Sequence, residues 1–274
     1  MRDFHLPGRS AVFAENGMCA TSHPLAAKAA VDMLQAGGNA VDAAITAAVL
    51  LGICEPQMTG IGGDMFALVK PAGTEEIFGL NASGRAPAAL NADALRADGA
   101  TTIGVESATS VTIPGSVDGF FQLSEQFGRK DMDACLAPSI HYAEAGVPVA
   151  PRTAFDWKIA AGRLKRTARE DYLFSGNPPK TGQVFRSPKQ AEAFKLLAKD
   201  GRAAFYNGPI ADDLVSALQA AGGCHTKDDF ASTKADRTVP ISSDYRGTEI
   251  VEHPPNGQGA TALLIANIPV SYTH

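Results

Sequence analysis

Arg85 is the residue of this chain whose type and position best suit the binding of a small carboxylate. It stands in the polar loop 81–87, next to a glycine and directly after a predicted strand. A guanidinium at such a place can receive a carboxylate through two parallel hydrogen bonds. A surface arginine, or one held in an internal ion pair, would show the same pattern. Asp64 and Asn81 are polar residues of the same predicted neighbourhood, although both are also typical of turns.

The glycine-rich segment 60–64, Gly-Ile-Gly-Gly-Asp, resembles a phosphate-binding loop only superficially. Its glycines precede a predicted strand, whereas the glycine loop of a nucleotide site follows a strand and opens a helix. We therefore expect backbone that passes close to a neighbouring strand or to a ligand, and no nucleotide.

Other catalytic signatures are absent from the sequence. It contains no Gly-x-Ser-x-Gly elbow, and the segment 114–119, Pro-Gly-Ser-Val-Asp-Gly, favours a tight turn into a helix. The histidines and cysteines are scattered without metal-ligand spacing, so we expect neither a metal nor a cofactor. The acidic pairs 212–213 and 228–229 fall in predicted first helical turns, where they complement the helix dipole.

The elements that must position these residues are clearest in segment 18–70. It is predicted as a strand, two alanine-rich helices joined by a Gly-Gly-Asn corner, a glycine-rich loop and a second strand. Asn39 and Asp42 form a capping-box pattern at the start of the second helix. That helix is apolar on nearly all sides, which predicts an interior position, and it stops before Pro56.

Turn and capping residues predict the later helices and strands. The basic run 158–169 is interpreted as the solvated face of a helix. The other predictions are a hairpin of strands 65–70 and 76–80, a helix opened by a capping box at 187–190 and ending near Gly201, a helix from 208 to 222, a short helix capped by Thr226 and Asp229, strands 238–241 and 248–251, and a helix starting near Ala260.

Composition is that of an ordinary globular protein, with 45% apolar and 19% charged residues among 274. A net charge of -5 without a basic stripe argues against a nucleic-acid partner. The most apolar stretch, 40–54, is too short to cross a bilayer, so no membrane partner is expected. The N-terminus lacks the apolar region of a secretory signal, and the four cysteines are widely scattered, without the spacing of a paired motif. We therefore expect a cytoplasmic location.

Several segments together resemble the gamma-glutamyltransferase (gamma-glutamyltranspeptidase) family of N-terminal nucleophile hydrolases. The resemblance runs from about Phe13 to Ile268 and does not depend on one common motif. The matching segments, in the order the family has them, are 37–44, 55–63, 85–87, 114–119, 205–210, 221–223, 226–230, 244–247 and 254–255.

The resemblance implies an α+β fold, the αββα four-layer sandwich, which is incomplete here because the strands of the family's small subunit are absent. We expect one partial domain over 1–274: sheet and core helices in 13–120, a mainly helical part in 121–235, a return to the core in 236–268 and an atypical tail at 269–274. The family sandwich pairs strands of both subunits, so this chain alone should expose a sheet edge and an apolar patch, and should self-associate or dissolve poorly.

The activity that the resemblance implies is cleavage of a gamma-glutamyl or related carboxylate-bearing amide. In the family, a threonine released by self-cleavage attacks the amide, its own α-amine acts as general base, and water or an acceptor amine resolves the acyl-enzyme. An arginine receives the substrate carboxylate. The family pattern has it at the position of Ser83, whereas here Arg85 stands two residues later, which fits a related amidase or acylase branch.

The nucleophilic threonine of the family begins the small subunit, and we expect it beyond this chain. Thr273-His274 echoes the family's processing junction, but no strand follows it. We therefore expect a truncated large-subunit portion with no catalytic residue of its own, inactive alone, whose partner is the small subunit of the same precursor. Family members are often exported. The sequence leaves open whether the chain forms a homo-oligomer. The alternative is a stand-alone carboxylate-binding or regulatory scaffold without catalysis.

Overall fold

The computed structural model describes residues 11–165 and 168–268. The helices are α1 (Pro24–Gln35), α2 (Ala40–Cys54), α3 (Ala92–Ala97), α4 (Ser116–Phe127), α5 (Met132–Ala145), α6 (Pro151–Ala160), α7 (Ala168–Tyr172), α8 (Pro188–Asp200), α9 (Arg202–Tyr206), α10 (Pro209–Ala220), α11 (Lys227–Ala231) and α12 (Gly259–Asn267). The strands are β1 (Met65–Val69), β2 (Phe78–Ala82), β3 (Val147–Pro148), β4 (Val184–Phe185), β5 (Asp236–Thr238), β6 (Ile241–Tyr245) and β7 (Thr248–Glu252).

The core is built around α2, which packs against α1, α4 and α5. Of its 15 residues, 10 are buried, as its apolar sequence predicts. The predicted capping box is confirmed: Asn39 Oδ1 accepts hydrogen bonds from the amides of Val41 and Asp42, while Asp42 Oδ2 accepts one from the Asn39 amide at 2.7 Å. This cap satisfies amides at a helix start that lies against the rest of the core.

The sheet that positions the candidate site is antiparallel, with strand order β1-β2-β5. Leu80 in β2 lies opposite Ala67 of β1 and opposite Arg237 of β5. Helix α4 packs against β1 and β2, so apolar side chains on one face of the sheet, such as Leu80, are buried. The predicted hairpin of β1 and β2 is confirmed, as is the α+β class.

Strand β1 has an open edge, because its only neighbour in the described sheet is β2. On this strand Phe66 and Leu68 are 38% and 40% exposed. An unpaired edge with apolar side chains is a surface on which another strand can add. This agrees with the exposed edge and apolar patch expected from the sequence.

Two smaller sheets complete the described structure. β3 pairs with β4, and β6 pairs with β7 as a hairpin against which α12 packs. None of the helices within the described ranges combines the length and apolarity that crossing a bilayer requires. The helices predicted at 208–222, at Thr226 and near Ala260 are confirmed as α10, α11 and α12.

Four local predictions are wrong. The strand expected at the start of segment 18–70 is irregular and largely exposed backbone, because no strand within the described ranges pairs with it. The strand expected at 238–241 is split into β5 and β6, since Pro240 has no amide to donate to a ladder. The run 158–169 is broken between α6, a 3-10 turn and α7. Ser187 precedes α8 as predicted but makes no side-chain cap hydrogen bond.

Candidate functional site

A cavity of about 640 Å³ opens between the loop that follows β2 and the segment that leads into β5. The two meet because β2 and β5 are neighbours in the sheet. The segment after β7 closes a third side. The polar residues that line the cavity are Asn81, Ser83, Arg85, Asp229, Ser232, Thr233, Lys234, Asp236 and Asn256.

The loop that carries Arg85 is held in one conformation by Gly84. This glycine has a φ of +75°, and a Cβ atom there would lie 1.8 Å from the carbonyl oxygen of Ile113. The Ile113 amide in turn donates to the Arg85 carbonyl at 2.9 Å. The close approach of two backbone segments therefore fixes the direction in which the arginine leaves the sheet.

Arg85 forms an ion pair across the cavity with Asp236, at the start of β5. Its Nη2 atom lies 2.6 Å from Asp236 Oδ2, and the two side chains are 79% and 57% exposed. Of the two structural alternatives to a ligand-binding arginine, the internal ion pair is not found, and Arg85 is a surface arginine in an exposed ion pair. An ion pair this exposed contributes only about 0–1 kcal/mol to stability.

A closed ring of hydrogen bonds joins the Arg85 loop to the segment after β7. The amide of Ser83 donates to Asn81 Oδ1 at 3.0 Å. Asn81 Nδ2 donates to Asn256 Oδ1 at 2.8 Å, and Asn256 Nδ2 donates to Ser83 Oγ at 3.0 Å. Ser83 stands at the place where the family pattern has its arginine. It therefore forms hydrogen bonds with the side-chain amides of Asn81 and Asn256 at the rim of the cavity.

The opposite wall is held by a buried ion pair between Asp118 of α4 and Arg202 of α9. Asp118 is 2% exposed, and its Oδ2 atom accepts the amide of Ala235 at 2.6 Å. Arg202 also donates to the carbonyl of Thr233, and Gln122 bridges Asp118 and the carbonyl of Ala235. These hydrogen bonds therefore hold the segment that leads into Asp236 against α4 and α9.

Tyr206 supports the same anchor. Its hydroxyl donates to the carbonyl of Pro114 at 2.8 Å and accepts the amide of Asp118 at 2.9 Å. Burial raises the pKa of the Tyr206 phenol, so the group stays protonated and keeps its donor role at neutral pH. The guanidinium of Arg202 stacks on the tyrosine ring, 4.3 Å from its centroid.

Asp229 is a buried carboxylate in the floor of the cavity. Its Oδ1 atom accepts the amide of Ala88 at 2.8 Å, and its Oδ2 atom accepts the amide and hydroxyl of Thr226. Burial by itself would raise the pKa of Asp229, but these hydrogen bonds outweigh it and lower the pKa below its usual value. Both oxygens have partners within the chain, so this carboxylate joins the start of α11 to the segment that begins at Ala88.

The glycine-rich loop 60–63 lies against the start of α4. The carbonyl of Gly63 accepts the amides of Gly115 and Ser116, each at 3.1 Å, and Ser116 Oγ donates to the carbonyl of Ile61 at 3.0 Å. The backbone of this loop therefore passes close to a helix N-terminus, whereas a neighbouring strand or a ligand was expected. The structure confirms the turn into a helix predicted at 114–119.

A second cavity of about 540 Å³ lies between α2 and the glycine-rich loop. Asp64 lines it together with Glu55, whose Oε2 atom accepts the Ser22 hydroxyl at 2.5 Å. Asp64 thus lines a different cavity from Arg85. The antiparallel register, with Met65 opposite Ala82, nevertheless places Asp64 at the same end of the hairpin as the Arg85 loop, as the sequence suggests.

The structure thus brings Asn81, Ser83 and Arg85 together as the sequence suggests. It adds Asp236 and Asn256, which sequence reasoning missed because they lie 151 and 175 residues from their partners. No local pattern marks either residue, and only the pairing of β2 with β5 places Asp236 opposite Arg85.

Comparison with known proteins places this geometry in a family. The model of the family described as gamma-glutamyltranspeptidase matches residues 26–274. Among curated proteins, the glutathione hydrolase-like YwrD proenzyme of Bacillus subtilis is 35% identical over 258 residues, covering 93% of this chain and 49% of that protein. This chain spans about half the length of the curated relatives that it matches.

Solved structures agree with the sequence matches. Cephalosporin acylase from Bacillus halodurans superimposes with a TM-score of 0.88 at 40% identity, covering 97% of this chain and 51% of that one. Gamma-glutamyltranspeptidase from Helicobacter pylori also gives a TM-score of 0.88, at 25% identity, covering 96% and 78%. The fold is accordingly that of the N-terminal nucleophile hydrolases, and the chain belongs to the gamma-glutamyltranspeptidase family.

Proposed function

We propose that this chain is the large-subunit portion of an enzyme that cleaves a gamma-glutamyl or related carboxylate-bearing amide. The observation that carries the proposal is Arg85, set on a rigid loop at the end of β2 and facing a cavity with other polar side chains. A cationic group fixed in this way can hold the carboxylate of a small substrate and so orient its amide.

The chemical step would come from a threonine outside residues 1–274. In this proposal the threonine, freed by cleavage of a longer precursor, attacks the amide carbon and forms an acyl-enzyme, which water or an amine then resolves. Two observations support it: the curated relatives are about twice as long as this chain, and strand β1 leaves an open edge. The chain alone would then bind the substrate head group without cleaving it.

The relatives also bear on the substrate. One is described as glutathione hydrolase-like and one solved structure as a cephalosporin acylase. The first description names glutathione and the second a cephalosporin. We propose that the bond cleaved here is an amide of a carboxylate-bearing compound, with the arginine at position 85 rather than 83 as the group that binds the carboxylate.

Activity of two products tests the proposal. The chain of residues 1–274 and the same chain continued through its downstream coding sequence are each assayed with a chromogenic gamma-glutamyl anilide. We expect the longer product to split into two subunits and release the chromophore, and the chain alone to release none. Release by the chain alone would show that it has its own nucleophile, and a longer product that neither splits nor reacts would overturn the enzyme assignment.

A second function, a carboxylate-binding scaffold without catalysis, is favoured by one observation. Arg85, Ser232, Thr233 and Lys234, which carry groups able to bind a carboxylate, line one cavity of this chain. In that case the longer product would bind L-glutamate through Arg85 but would release no chromophore. The assay above therefore separates the two functions.

A further inference from the structure

A third cavity, of about 840 Å³, lies between α6 and the loop 174–183 that joins α7 to β4. It shares no lining residue with the Arg85 cavity or with the cavity beside α2. We call it the α6 groove. The side chains that give it its chemical character are Phe155 and Lys158 of α6 and Phe174, Pro178, Pro179 and Lys180 of the loop. The groove has no part in the proposed amide cleavage, so a ligand bound there would be a separate one.

The loop wall of the α6 groove is held in one conformation by its own backbone. The amide of Phe174 donates to the carbonyl of Asn177 at 2.8 Å, and the amide of Asn177 donates back at 3.1 Å. At the other end, the amide of Gln183 donates to the carbonyl of Lys180 at 3.0 Å, while Gln183 Oε1 accepts the amide of Lys180 at 2.6 Å. The prolines at 178–179 fix φ between these two turns. Such a wall loses little conformational entropy when a ligand binds.

The wall formed by α6 rests on a small aromatic core. The ring of Trp157 is buried and lies edge-on to Phe185, with 4.9 Å between the centroids, and Phe185 also stacks on Tyr172 at 5.9 Å. Phe155, in contrast, is 61% exposed and lines the groove. An exposed apolar ring gains about 25 cal/mol for each Å² of apolar area that a ligand removes from water. The groove therefore offers an apolar face to a flat apolar group.

Each wall of the α6 groove also contributes one cation. Lys158 belongs to α6 and Lys180 to the loop, and both line the groove. Neither side-chain amine has a hydrogen-bond or ion-pair partner among the described residues, whereas Lys189 on α8 lies 2.7 Å from Asp171. The described residues that line the groove include no aspartate or glutamate, although the chain as a whole has a net charge of -5. Two unpaired positive charges beside an apolar surface favour an anionic ligand.

We propose that the α6 groove binds a small aromatic acid, with the ring against Phe155 and the carboxylates on Lys158 and Lys180. One cation on each wall suits a ligand with two carboxylates, since each carboxylate can then accept a charge-assisted hydrogen bond. A neutral aromatic compound would leave both amines without a partner, and an acid without an apolar group would leave the Phe155 ring in water. The groove therefore selects for charge and ring in the same ligand.

Two naphthalene compounds that differ in charge provide the test. Naphthalene-2,6-dicarboxylate and the neutral 2,6-bis(hydroxymethyl)naphthalene are titrated calorimetrically into the chain. We expect the dicarboxylate to bind roughly tenfold or more tightly than the diol, the value of one charge-assisted hydrogen bond. Lys158→Gln and Lys180→Gln should each weaken binding of the dicarboxylate by a similar factor and leave binding of the diol unchanged. Lys199→Gln, which changes an exposed lysine of α8 outside the groove, is the matched control and should bind both compounds like the wild type.

The apolar contact has a matched pair of variants of its own. Phe155→Ala should weaken binding of both compounds roughly tenfold, because the ring that would cover the naphthalene is lost. Ile159→Ala removes an apolar side chain of the same helix that is 67% exposed but does not line the groove, so binding should not change. Thermal unfolding of each variant shows whether a loss of binding reflects a loss of fold.

Three results would overturn the inference. The first is a wild type that does not bind the dicarboxylate, and the second is binding that folded Lys158→Gln and Lys180→Gln variants retain in full. The third is a dimer, seen by sedimentation, that Phe155→Ala dissociates and the dicarboxylate does not, because the groove would then belong to a second copy of the chain. None of these measurements depends on amide cleavage, so the inference and the proposed function can fail separately.

Discussion

The α1–α2 pair and the Arg85 cavity are built by opposite means. Helices α1 and α2 are adjacent in sequence, are capped by their own flanking residues and pack through small apolar side chains. The cavity joins residues more than 150 positions apart through polar contacts. The first region is a packing scaffold, whereas in the second the specific arrangement of charges and amides matters most. Mutations should therefore damage the two regions in different ways.

The largest loss of unfolding free energy is expected for a change at Asp118, where the cavity wall meets the core. Asp118→Ala leaves the partly buried guanidinium of Arg202 and the amide of Ala235 without their acceptor. The loss of one partner of a buried ion pair costs about 3–5 kcal/mol. Urea unfolding monitored by circular dichroism would measure it.

The control for this variant is an ion pair on the scaffold. Asp32→Ala removes the exposed i,i+4 partner of Lys28 on α1 and should cost less than about 1 kcal/mol. Similar losses for the two variants would show that the Asp118 contact is no more important than a surface pair, and the proposed anchor of the wall would be wrong.

Gly84→Ala should come next and should separate stability from binding. An alanine must adopt a positive φ, at about 1–2 kcal/mol, and its Cβ would also overlap the backbone of Ile113, so we expect a loss of at least about 2 kcal/mol with displacement of Arg85. Gly73→Ala is the matched control, with a φ of +77° but open space around the added atom. It should show only the cost of the positive φ and leave L-glutamate binding unchanged. Equal losses in both variants would contradict the tight contact at Gly84.

A smaller loss of unfolding free energy is expected for a change at Asn39, the residue that caps α2. Asn39→Ala removes the acceptor for two amides of α2 and a donor to the carbonyl of Phe127, which costs about 1 kcal/mol. The same change at Asn91, which caps the exposed helix α3, should cost less. L-Glutamate binding should be unaffected in both variants. Impaired binding in Asn39→Ala would mean that the scaffold and the cavity are coupled.

The smallest expected effect is a pH dependence at Asp229. Since its pKa is lowered in the folded chain from an ordinary value of 3.8, its carboxylate contributes stability above that ordinary value. The contribution is lost as the pH falls toward and through the lowered value. The difference in melting temperature between wild type and Asp229→Asn should thus be largest near neutrality and shrink below about pH 4. A difference that grew with acidification would contradict the assigned direction.

The same contrast explains what could be predicted from the sequence. Asn39, Asp42 and the glycines after α1 act on residues a few positions away, so their roles at the helix ends were predictable from local pattern, and the structure confirms two helices joined at this corner. Arg85 was predictable as a candidate because it follows a strand and a glycine. Its partner Asp236 was not, because the contact depends on which strand lies beside β2.

The errors have a related cause. The start of segment 18–70 was expected to form a strand, but a strand requires a neighbour with which to exchange hydrogen bonds. Asp64 and Arg85 lie at the same end of the β1–β2 hairpin, as predicted, but they line different cavities. Sequence pattern thus predicted the elements better than it predicted which residues share a cavity.

The most direct test of the central claim is the steady-state kinetics of the longer precursor product carrying Arg85→Ala. If Arg85 holds the substrate carboxylate, KM for a gamma-glutamyl anilide should rise roughly 10- to 100-fold with kcat much less affected, as expected for the loss of a charge-assisted contact made before the chemical step. An unchanged KM in a folded, processed Arg85→Ala variant would contradict the claim that this cavity receives the substrate.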